Sequence, residues 1–322
     1  MSAGRGKTLF LPARAKLNLA LRIVGRRADG YHLLDTVFHA LALHDDVAVT
    51  RTEEGRAIEV RAPREPLLVP ADDRNLAVRA LAALQRATGD RGGFRVCLYK
   101  RIPNGGGLGG GSSDAAAVLR LGNLLLGEPL DQAALTALAG TLGADVAFFL
   151  RGGTQRGRGV GEQLEPLPHR RGHFVLVLPP FGCETRAVYK NHAALLAHGG
   201  PADTVAPITV PENRDLAVGI GTNELERAAV LLRPELGRLR DRVVQAGYAQ
   251  VRMTGSGSTL FVACADSGAA EECRRVLQSS VASTDSGGVG FVVTASGPAL
   301  DGDRPSSQVP ATVAPRPPDP LG

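Results

Sequence analysis

The sequence predicts an α+β fold in two domains. Strand-like and helix-like segments are mixed along the chain, without the strict alternation that is typical of a doubly wound parallel sheet. A polar stretch rich in glycine and arginine, residues 152–161, separates two sets of such segments and indicates a domain boundary. The length of 322 residues suits two ordinary domains. We expect the first over residues 8–162 and the second over residues 163–296.

The first half opens on residues 16–24, where polar and apolar side chains alternate as in a half-buried strand. The leucines of this strand are expected on one face, with Lys16 and Asn18 on the other. A nearly unbroken apolar run at residues 144–150 holds one carboxylate, Asp145. Further strands are predicted over residues 46–51 and 94–100, and helices over 75–88, 113–126 and 130–142.

The second half contains a buried-type strand at residues 173–178 and a helical segment at 224–246, which Pro234 is expected to kink. A second, smaller glycine loop at residues 253–259 precedes further predicted elements: a strand over 260–263, a helix over 268–279 and a closing strand over 290–294. From residue 297 the chain carries seven prolines and no aromatic residue. This composition predicts a disordered tail over residues 297–322.

Composition argues against several classes of protein. The apolar fraction of 43% is normal for a globular core, and no apolar run approaches the length of a membrane span. The four cysteines are scattered without a C-x-x-C pair, which argues against a zinc site and a disulfide scaffold. The N-terminus lacks a signal-peptide pattern, so the cytoplasm is the expected location.

The chain is basic, with a net charge of +5 and a sequence pI near 9.3. Its basic residues are spread along the chain rather than clustered with aromatic residues, which favours a solvated basic surface over a nucleic-acid site. We expect no nucleic-acid partner, no membrane and no obligate protein partner. A mild positive field favours an anionic small-molecule substrate.

The most informative segment is the glycine loop at residues 101–114, where six glycines fall within seven residues ahead of two serines and an aspartate. Glycine permits positive φ and lets a ligand approach the backbone closely. A helix that starts at the end of the loop, capped by Ser113 or Asp114, adds unpaired N–H groups and the positive end of its dipole. The loop therefore predicts a phosphate-binding site.

Three interpretations of this loop compete. Residues 105–110 fit the dinucleotide pattern G-x-G-x-x-G, but Pro103 and Asn104 interrupt the strand that this pattern requires. Residues 105–112 nearly fit the P-loop pattern, but Gly111 occupies the position of its lysine. A flexible linker rarely lies between a strand and a strong helix. We expect a phosphate cradle whose cation comes from elsewhere in the fold.

Lysine is rare in this chain: only four of the 37 basic residues are lysines, namely Lys7, Lys16, Lys100 and Lys190. Phosphoryl transfer requires a phosphate site, a cation and a carboxylate near the attacking hydroxyl group. Lys16 and Asp145 are the candidates, since a carboxylate in an apolar run is costly to bury unless it is paired. The alternatives are a helix-capping role for Asp145 and an edge position for Lys16 with its ammonium in solvent.

Five segments together resemble the GHMP kinase superfamily, and most closely its members that phosphorylate 4-diphosphocytidyl-2-C-methyl-D-erythritol. They occur in order at residues 15–19, 27–32, 102–114, 143–146 and 254–258. The resemblance covers residues 8–296, and it implies a ribosomal-S5-like N-terminal domain, a ferredoxin-like C-terminal domain and an active site in the cleft between them. Glu224 departs from the more usual aspartate.

The resemblance also implies roles for individual residues. Asp145 would take the proton from the substrate 2-hydroxyl group, and Lys16 would keep Asp145 ionised and steady the transferred phosphoryl group. The substrate side would be formed by Asn18, Tyr31, His32, Thr185 and Tyr189. The ATP side would be formed by Asn75, Pro103, Asn104, Gly105, Gly106, Gly107, Leu108, Gly109, Gly110, Gly111, Ser112 and Ser113. Use of ATP implies Mg²⁺, which Ser112 or Ser113 is placed to reach.

Two alternative functions remain open at this level. The first alternative is a different small-molecule kinase of the superfamily, acting on mevalonate derivatives, homoserine or a sugar. The second is a non-catalytic binding module on the same fold. The adjacent Tyr31 and His32 argue against the first alternative, and the presence of both Lys16 and Asp145 argues against the second.

Overall fold

The first half of the chain forms a six-stranded mixed sheet covered by helices, in a computed structural model that describes residues 6–63, 69–169, 171–197, 221–284 and 287–314. Its strands are β1 (Thr8–Arg26), β2 (His32–Thr52), β3 (Arg56–Arg61), β4 (Gly93–Tyr99), β5 (Thr154–Gly159) and β6 (Gln163–Pro166). They run in the order β3-β4-β2-β5-β6, with β1 also paired to β2. The pairing is antiparallel except between β3 and β4. The helices are α1 (Leu76–Thr88), α2 (Gly110–Leu125), α3 (Gln132–Leu142) and α4 (Ala144–Arg151).

The second half forms a four-stranded antiparallel sheet in the order β12-β7-β9-β8. Its strands are β7 (His173–Leu178), β8 (Arg252–Met253), β9 (Leu260–Cys264) and β12 (Gly290–Ala295), with a short hairpin of β10 (Ser283–Thr284) and β11 (Gly287–Gly288) before the last. The helices are α5 (Thr185–Ala197), α6 (Glu226–Leu232), α7 (Pro234–Gln245) and α8 (Ser267–Ser280). The predicted α+β class is confirmed.

The two sheets share a hydrophobic cluster at their junction. Leu17 and Leu19 of β1 pack there with Phe174 of β7 and Phe261 of β9, all buried. Because β1 contributes to this cluster and also borders the helices of the first half, it lies between the two halves of the molecule. Side chains on the helix-facing side of β1 therefore lie close to both halves.

The pairing of β1 with β2 is irregular where β1 changes the side that its side chains face. Arg14 pairs with His44 and Lys16 with Ala40, so the two extra residues of this bulge lie on β2. Before the shift Leu11 and Ala13 pack in the core of the first half, and after it Leu17 packs in the shared cluster instead. Lys16, next to Leu17, therefore faces the helix side, where it meets Asp145 of α4. The predicted two-faced arrangement of this strand is confirmed.

Two features along the chain differ from the simple sequence pattern. Strand β5 lies within the polar stretch at residues 152–161, because its glycines and arginines pair with β2 and β6 at one end of the sheet. The chain passes from the first sheet to the second between Pro166 and His173. The predicted kink at Pro234 is a break into two helices, since proline has no N–H to continue a helix and favours its first turn.

The expectation of a disordered tail is wrong for residues 297–314. This segment packs against the first half: Asp303 accepts two hydrogen bonds from Arg14, at 2.7 and 2.8 Å, and Ser306 forms a backbone bridge with Phe10. Val313 is buried beside β2 and β4. Residues 297–314 have too few apolar side chains to form a core of their own. Ion pairs and backbone hydrogen bonds to the first half hold them in place instead. The remainder of the predicted tail lies outside the described residues.

Candidate active site

A cavity of about 1320 Å³ lies between the two halves of the molecule. Its walls come from β1, the glycine loop, the α3–α4 turn, α5 and the second glycine loop. All the residues predicted for the substrate side line it, together with both predicted catalytic residues: Lys16, Asn18, Tyr31, His32, Asp145, Thr185 and Tyr189. The cleft implied by the sequence resemblance is thus present as a single space.

Lys16 and Asp145 form an ion pair on the wall of this cavity. Lys16 Nζ lies 3.6 Å from Asp145 Oδ2, and the lysine side chain is 4% exposed whereas that of the aspartate is 32% exposed. Burial lowers the pKa of Lys16 below its usual 10.5, although the Asp145 charge opposes this shift. Asp145 lies in the first turn of α4, where the helix dipole favours a negative charge. The carboxylate therefore has a cation beside it and is open to a ligand.

Asn18 holds Lys16 in place. Lys16 Nζ donates to Asn18 Oδ1 at 2.5 Å, and Asn18 Nδ2 donates to Thr36 Oγ1 at 2.8 Å. Thr36 in turn donates to the Ala20 carbonyl oxygen at 2.7 Å. This series of hydrogen bonds is buried, and it uses both polar groups of the Asn18 amide. Asn18 therefore positions the lysine as well as lining the cavity.

The glycine loop leads directly into α2. This helix begins at Gly110 with Gly109 as N-cap at φ +75°, so the predicted caps Ser113 and Asp114 are wrong. The first helical hydrogen bond is donated by Ser113 N–H to the Gly109 carbonyl oxygen. The N–H groups of the preceding three residues have no such partner four residues back, and these groups are the ones that bind anions at a helix start.

A second cavity of about 210 Å³ lies over this helix start. It is lined by most of the predicted ATP-side residues, namely Pro103, Asn104, Gly105, Gly106, Leu108, Gly109, Gly110, Gly111 and Ser112. Gly107 and Gly109 line the larger cavity. Because Gly109 borders both, the two cavities meet at the loop, so the predicted ATP (donor) side and the predicted substrate (acceptor) side are adjacent.

Two predicted ATP-side residues line neither cavity. Asn75 caps α1: its Oδ1 accepts from Ala77 N–H at 2.9 Å and its Nδ2 donates to the Pro70 carbonyl oxygen at 2.8 Å. The neighbouring Leu76 does line the smaller cavity, so Asn75 places the start of α1 beside it. The Ser113 side chain is 2% exposed and borders a different, small cavity between β1 and the C-terminal segment. Ser112 is therefore the loop serine that faces the donor side.

The second glycine loop, residues 253–259, packs against the first. Gly107, at φ +77°, approaches it so closely that a Cβ atom would lie 2.3 Å from the Thr254 carbonyl oxygen. Thr259 N–H also donates to the Gly106 carbonyl oxygen at 3.2 Å. The second half of the protein thus fixes the conformation of the phosphate loop.

A buried charge cluster, which the sequence did not reveal, lies under the loop. Lys100 Nζ donates to Asp114 Oδ2 at 2.5 Å and also to Asp45, which in turn accepts from Ile102 N–H at 2.8 Å. All three charged side chains are at most 5% exposed. Burial is the largest cause that raises the pKa of Asp114 to about 7, against the opposing effect of Lys100. The cluster joins β2, the loop entry and α2.

The substrate side is formed by aromatic and hydroxyl groups. The rings of His32 and Tyr189 lie 5.0 Å apart, and Tyr31 is 64% exposed at the rim. Burial, followed by the charges of Arg26 and His192, lowers the pKa of His32, so its ring is neutral at neutral pH. Burial raises the pKa of Tyr189, so its phenol remains a hydrogen-bond donor.

Four cations that the sequence did not single out as site residues also line the larger cavity, namely Arg26 of β1, Arg79 of α1, and Arg186 and Lys190 of α5. All four are exposed. In the sequence they do not differ from other solvated basic residues, except that lysine is rare in this chain. Among the described residues there is no group of three or more His, Cys, Asp or Glu side chains able to hold a metal ion. None of the described helices has the length and apolar character needed to cross a membrane.

Two family profiles match the chain: the GHMP kinases N terminal domain at residues 75–153 and the GHMP kinases C terminal at residues 211–283. A 4-diphosphocytidyl-2-C-methyl-D-erythritol kinase from Thiobacillus denitrificans is 42% identical over 267 residues, which is 83% of this chain and 89% of that relative. Another from Moorella thermoacetica is 39% identical over 288 residues, which is 86% of this chain and 97% of that relative.

Solved structures agree with these relatives. A crystal structure of 4-(cytidine 5'-diphospho)-2C-methyl-D-erythritol kinase matches with a TM-score of 0.72 at 35% identity, covering 90% of this chain and 100% of that one. Homoserine kinase from Cytophaga hutchinsonii matches with a TM-score of 0.64 at 19% identity, covering 95% of this chain and 99% of that one. Mevalonate kinase from L. major matches with a TM-score of 0.65 at 14% identity, covering 89% and 95%. At such low identity the last two share the fold alone.

Proposed function

The chain belongs to the 4-diphosphocytidyl-2-C-methyl-D-erythritol kinase family of the GHMP kinases, and from this premise we propose how its cleft phosphorylates that substrate. It is an ATP-dependent small-molecule kinase of isoprenoid precursor biosynthesis. The observation that carries the mechanism is the Lys16–Asp145 pair, at 3.6 Å, on the wall of a cavity that the phosphate loop also borders.

Asp145 is the base in this mechanism. Its carboxylate accepts the proton of the substrate 2-hydroxyl group as the hydroxyl oxygen attacks the γ-phosphorus of ATP. The bond from that phosphorus to the β–γ bridging oxygen breaks, so the products are the 2-phosphate and ADP. Its partial exposure, 32% of the side chain, leaves room for the hydroxyl group. A positioned base is typically worth about 10²–10⁴-fold in rate.

Lys16 supplies positive charge at the transferred group. Its ammonium is fixed by Asn18 and Asp145, so it does not have to reorganise as negative charge develops during transfer. This is the cation that the glycine loop lacks at Gly111. The loop contributes the free N–H groups at the start of α2, directed at the phosphates.

We also propose a role for Mg²⁺. This ion usually keeps several waters and binds substrate phosphates with one or two protein oxygens, so it does not need an acidic cage. The Ser112 hydroxyl, which faces the donor cavity, fits this donor set and would hold the ion together with the ATP phosphates. When bound, Mg²⁺ neutralises charge on the β- and γ-phosphate oxygens.

The acceptor binds between α5 and the rim. The Tyr31 ring at the entrance offers a stacking surface for cytosine, and neutral His32 and Tyr189 offer hydrogen-bonding groups. Thr185, whose hydroxyl lies 2.9 Å from that of Ser256, closes the side next to the second glycine loop. We further propose a cytoplasmic location, which the four free cysteines support.

The test is a substrate panel read by ADP release. We expect ADP only when 4-diphosphocytidyl-2-C-methyl-D-erythritol is added, and none above background with mevalonate or homoserine. Phosphorylation of mevalonate or homoserine in place of the cytidyl substrate would contradict the proposal.

A further inference from the structure

A short segment of the second half, residues 221–224, runs beside β1, the strand that carries the proposed catalytic lysine. Gly221 N–H donates to the Leu19 carbonyl oxygen at 2.9 Å, and Leu21 N–H donates to the Thr222 carbonyl oxygen at 2.9 Å. The segment is therefore fixed to β1. None of these four described residues lines either cavity of the site.

Asn223 joins this segment to the second glycine loop through its side-chain amide. Its Nδ2 donates to the carbonyl oxygens of Met253, at 2.9 Å, and Gly255, at 2.8 Å. Its Oδ1 accepts from Leu225 N–H at 3.0 Å. Both N–H donors and the carbonyl acceptor of the amide are thus used. The side chain is buried, so the loss of a partner would leave a backbone group unsatisfied.

Thr254, which lies between the two carbonyl groups held by this amide, contacts both sides of the proposed reaction. Its Oγ1 accepts from Asn18 N–H at 2.9 Å, and the Asn18 amide in turn holds Lys16. Its carbonyl oxygen lies where Gly107 of the phosphate loop comes closest, with no room there for a Cβ atom. Thr254 is fully buried, so it cannot shift without disturbing Gly107 or Asn18.

We propose that Asn223 is a positioning residue for phosphoryl transfer. Its amide holds the second glycine loop in the conformation that shapes the phosphate loop and fixes Lys16. This inference rests on the proposed function and adds to it a residue that lies outside both cavities and acts through Thr254.

The informative variant is Asn223→Asp, which removes the donor and keeps the acceptor. Its carboxylate still accepts from Leu225 N–H, but it turns an oxygen towards the carbonyl oxygens of Met253 and Gly255. These carbonyl groups lose their partner and face a like charge, so the loop between them is released from β1.

The matched control is Asn123→Asp near the end of α2. Asn123 is also buried, its Nδ2 donates to the Leu130 carbonyl oxygen at 2.8 Å, and its Oδ1 accepts from Leu130 N–H at 3.1 Å. It lines neither cavity of the site. The control therefore makes the same chemical change to a buried amide elsewhere in the molecule.

The test combines urea unfolding with initial-rate kinetics on the full-length protein. Both variants should lower the urea midpoint, because each leaves a buried carbonyl group without its donor. We expect Asn223→Asp also to lower kcat and raise the KM for ATP, so that kcat/KM for ATP falls about tenfold or more. The KM for the cytidyl substrate should change less. Asn123→Asp should keep the wild-type kcat and both KM values.

A lowered midpoint with wild-type kcat and KM for ATP in Asn223→Asp would show a structural role alone and overturn the inference. Equal losses of kcat/KM in the two variants would also overturn it. If Asn223→Asp does not fold, Asn223→Ser, which can form the same turn with Leu225, is measured in its place.

Titration calorimetry with ATP separates this inference from the proposed function. If wild type releases no ADP with the cytidyl substrate, the proposed function fails. A Kd for ATP that rises in Asn223→Asp and not in Asn123→Asp would still support the positioning of the phosphate loop by Asn223, whereas a wild-type Kd in both would contradict it.

Discussion

Replacement of Gly107 by alanine is expected to damage both stability and ATP binding. Its φ of +77° is costly for an alanine, about 1–2 kcal/mol. The new Cβ would lie 2.3 Å from the Thr254 carbonyl oxygen and 3.2 Å from that of Gly257. Both are backbone atoms, so no side-chain rotation relieves the contact, and overpacking of this kind costs about 1–3 kcal/mol. The sum is about 2–5 kcal/mol.

The assay is urea unfolding followed by circular dichroism, together with the KM for ATP. The matched control is Gly111→Ala in the same loop, where a Cβ would meet nothing within 4 Å. Gly111 lies in α2, where alanine is preferred over glycine by up to about 1 kcal/mol. We expect Gly107→Ala to lower the urea midpoint and raise the KM for ATP, and the control to keep the midpoint or raise it slightly. A wild-type midpoint and a wild-type KM for Gly107→Ala would refute the argument that the second loop shapes the phosphate site.

Further predictions concern the buried charges and the donor side. Lys16→Ala should lower kcat far more than it changes the KM for ATP in initial-rate kinetics. In the wild type, kcat should begin to fall with rising pH before pH 10.5, the usual pKa of lysine, because burial lowers the pKa of Lys16. A kcat that falls only above pH 10.5 would contradict this. The pKa of Asp114 rises from 3.8 to about 7 on folding, so the folded state favours the protonated carboxyl group. Its contribution to the free energy of unfolding is fully present below pH 3.8 and is lost as the pH rises through 7. The difference in urea midpoint between pH 5 and pH 8 should therefore shrink in Asp114→Asn, and an unchanged difference would show that Asp114 does not titrate there. Arg79 lines the large cavity and lies one turn along α1 from Leu76, which lines the smaller cavity of the predicted ATP side. Arg79→Gln should therefore raise the KM for ATP and leave the KM for the acceptor unchanged; the opposite pattern would place Arg79 on the acceptor side.

The main parts of the candidate site could be found in the sequence because they are local. The glycine loop is contiguous, and the single carboxylate in an apolar run marks Asp145. The approach of Lys16 to Asp145 lies beside the irregular pairing of β1 with β2, a bulge whose extra residues lie on β2. A bulge leaves little trace in an alternating pattern, so only the pairing of charges suggested the contact.

The supporting charges could not be predicted because they come together from distant positions. Lys100 pairs with Asp45, 55 residues away, and with Asp114, 14 residues away. Each looks like an ordinary polar residue in its own segment. The segment at residues 297–314 was mistaken for disorder for a related reason. Its composition is that of a linker, and its order comes from partners such as Arg14 at the other end of the chain.

The role of Asp145 as the base is tested most directly by the rate of ADP release from Asp145→Asn with ATP and 4-diphosphocytidyl-2-C-methyl-D-erythritol. Asparagine keeps the size of the side chain and cannot accept the hydroxyl proton. We expect kcat to fall by about 10²–10⁴-fold, with CDP still bound. Full turnover by Asp145→Asn would contradict it.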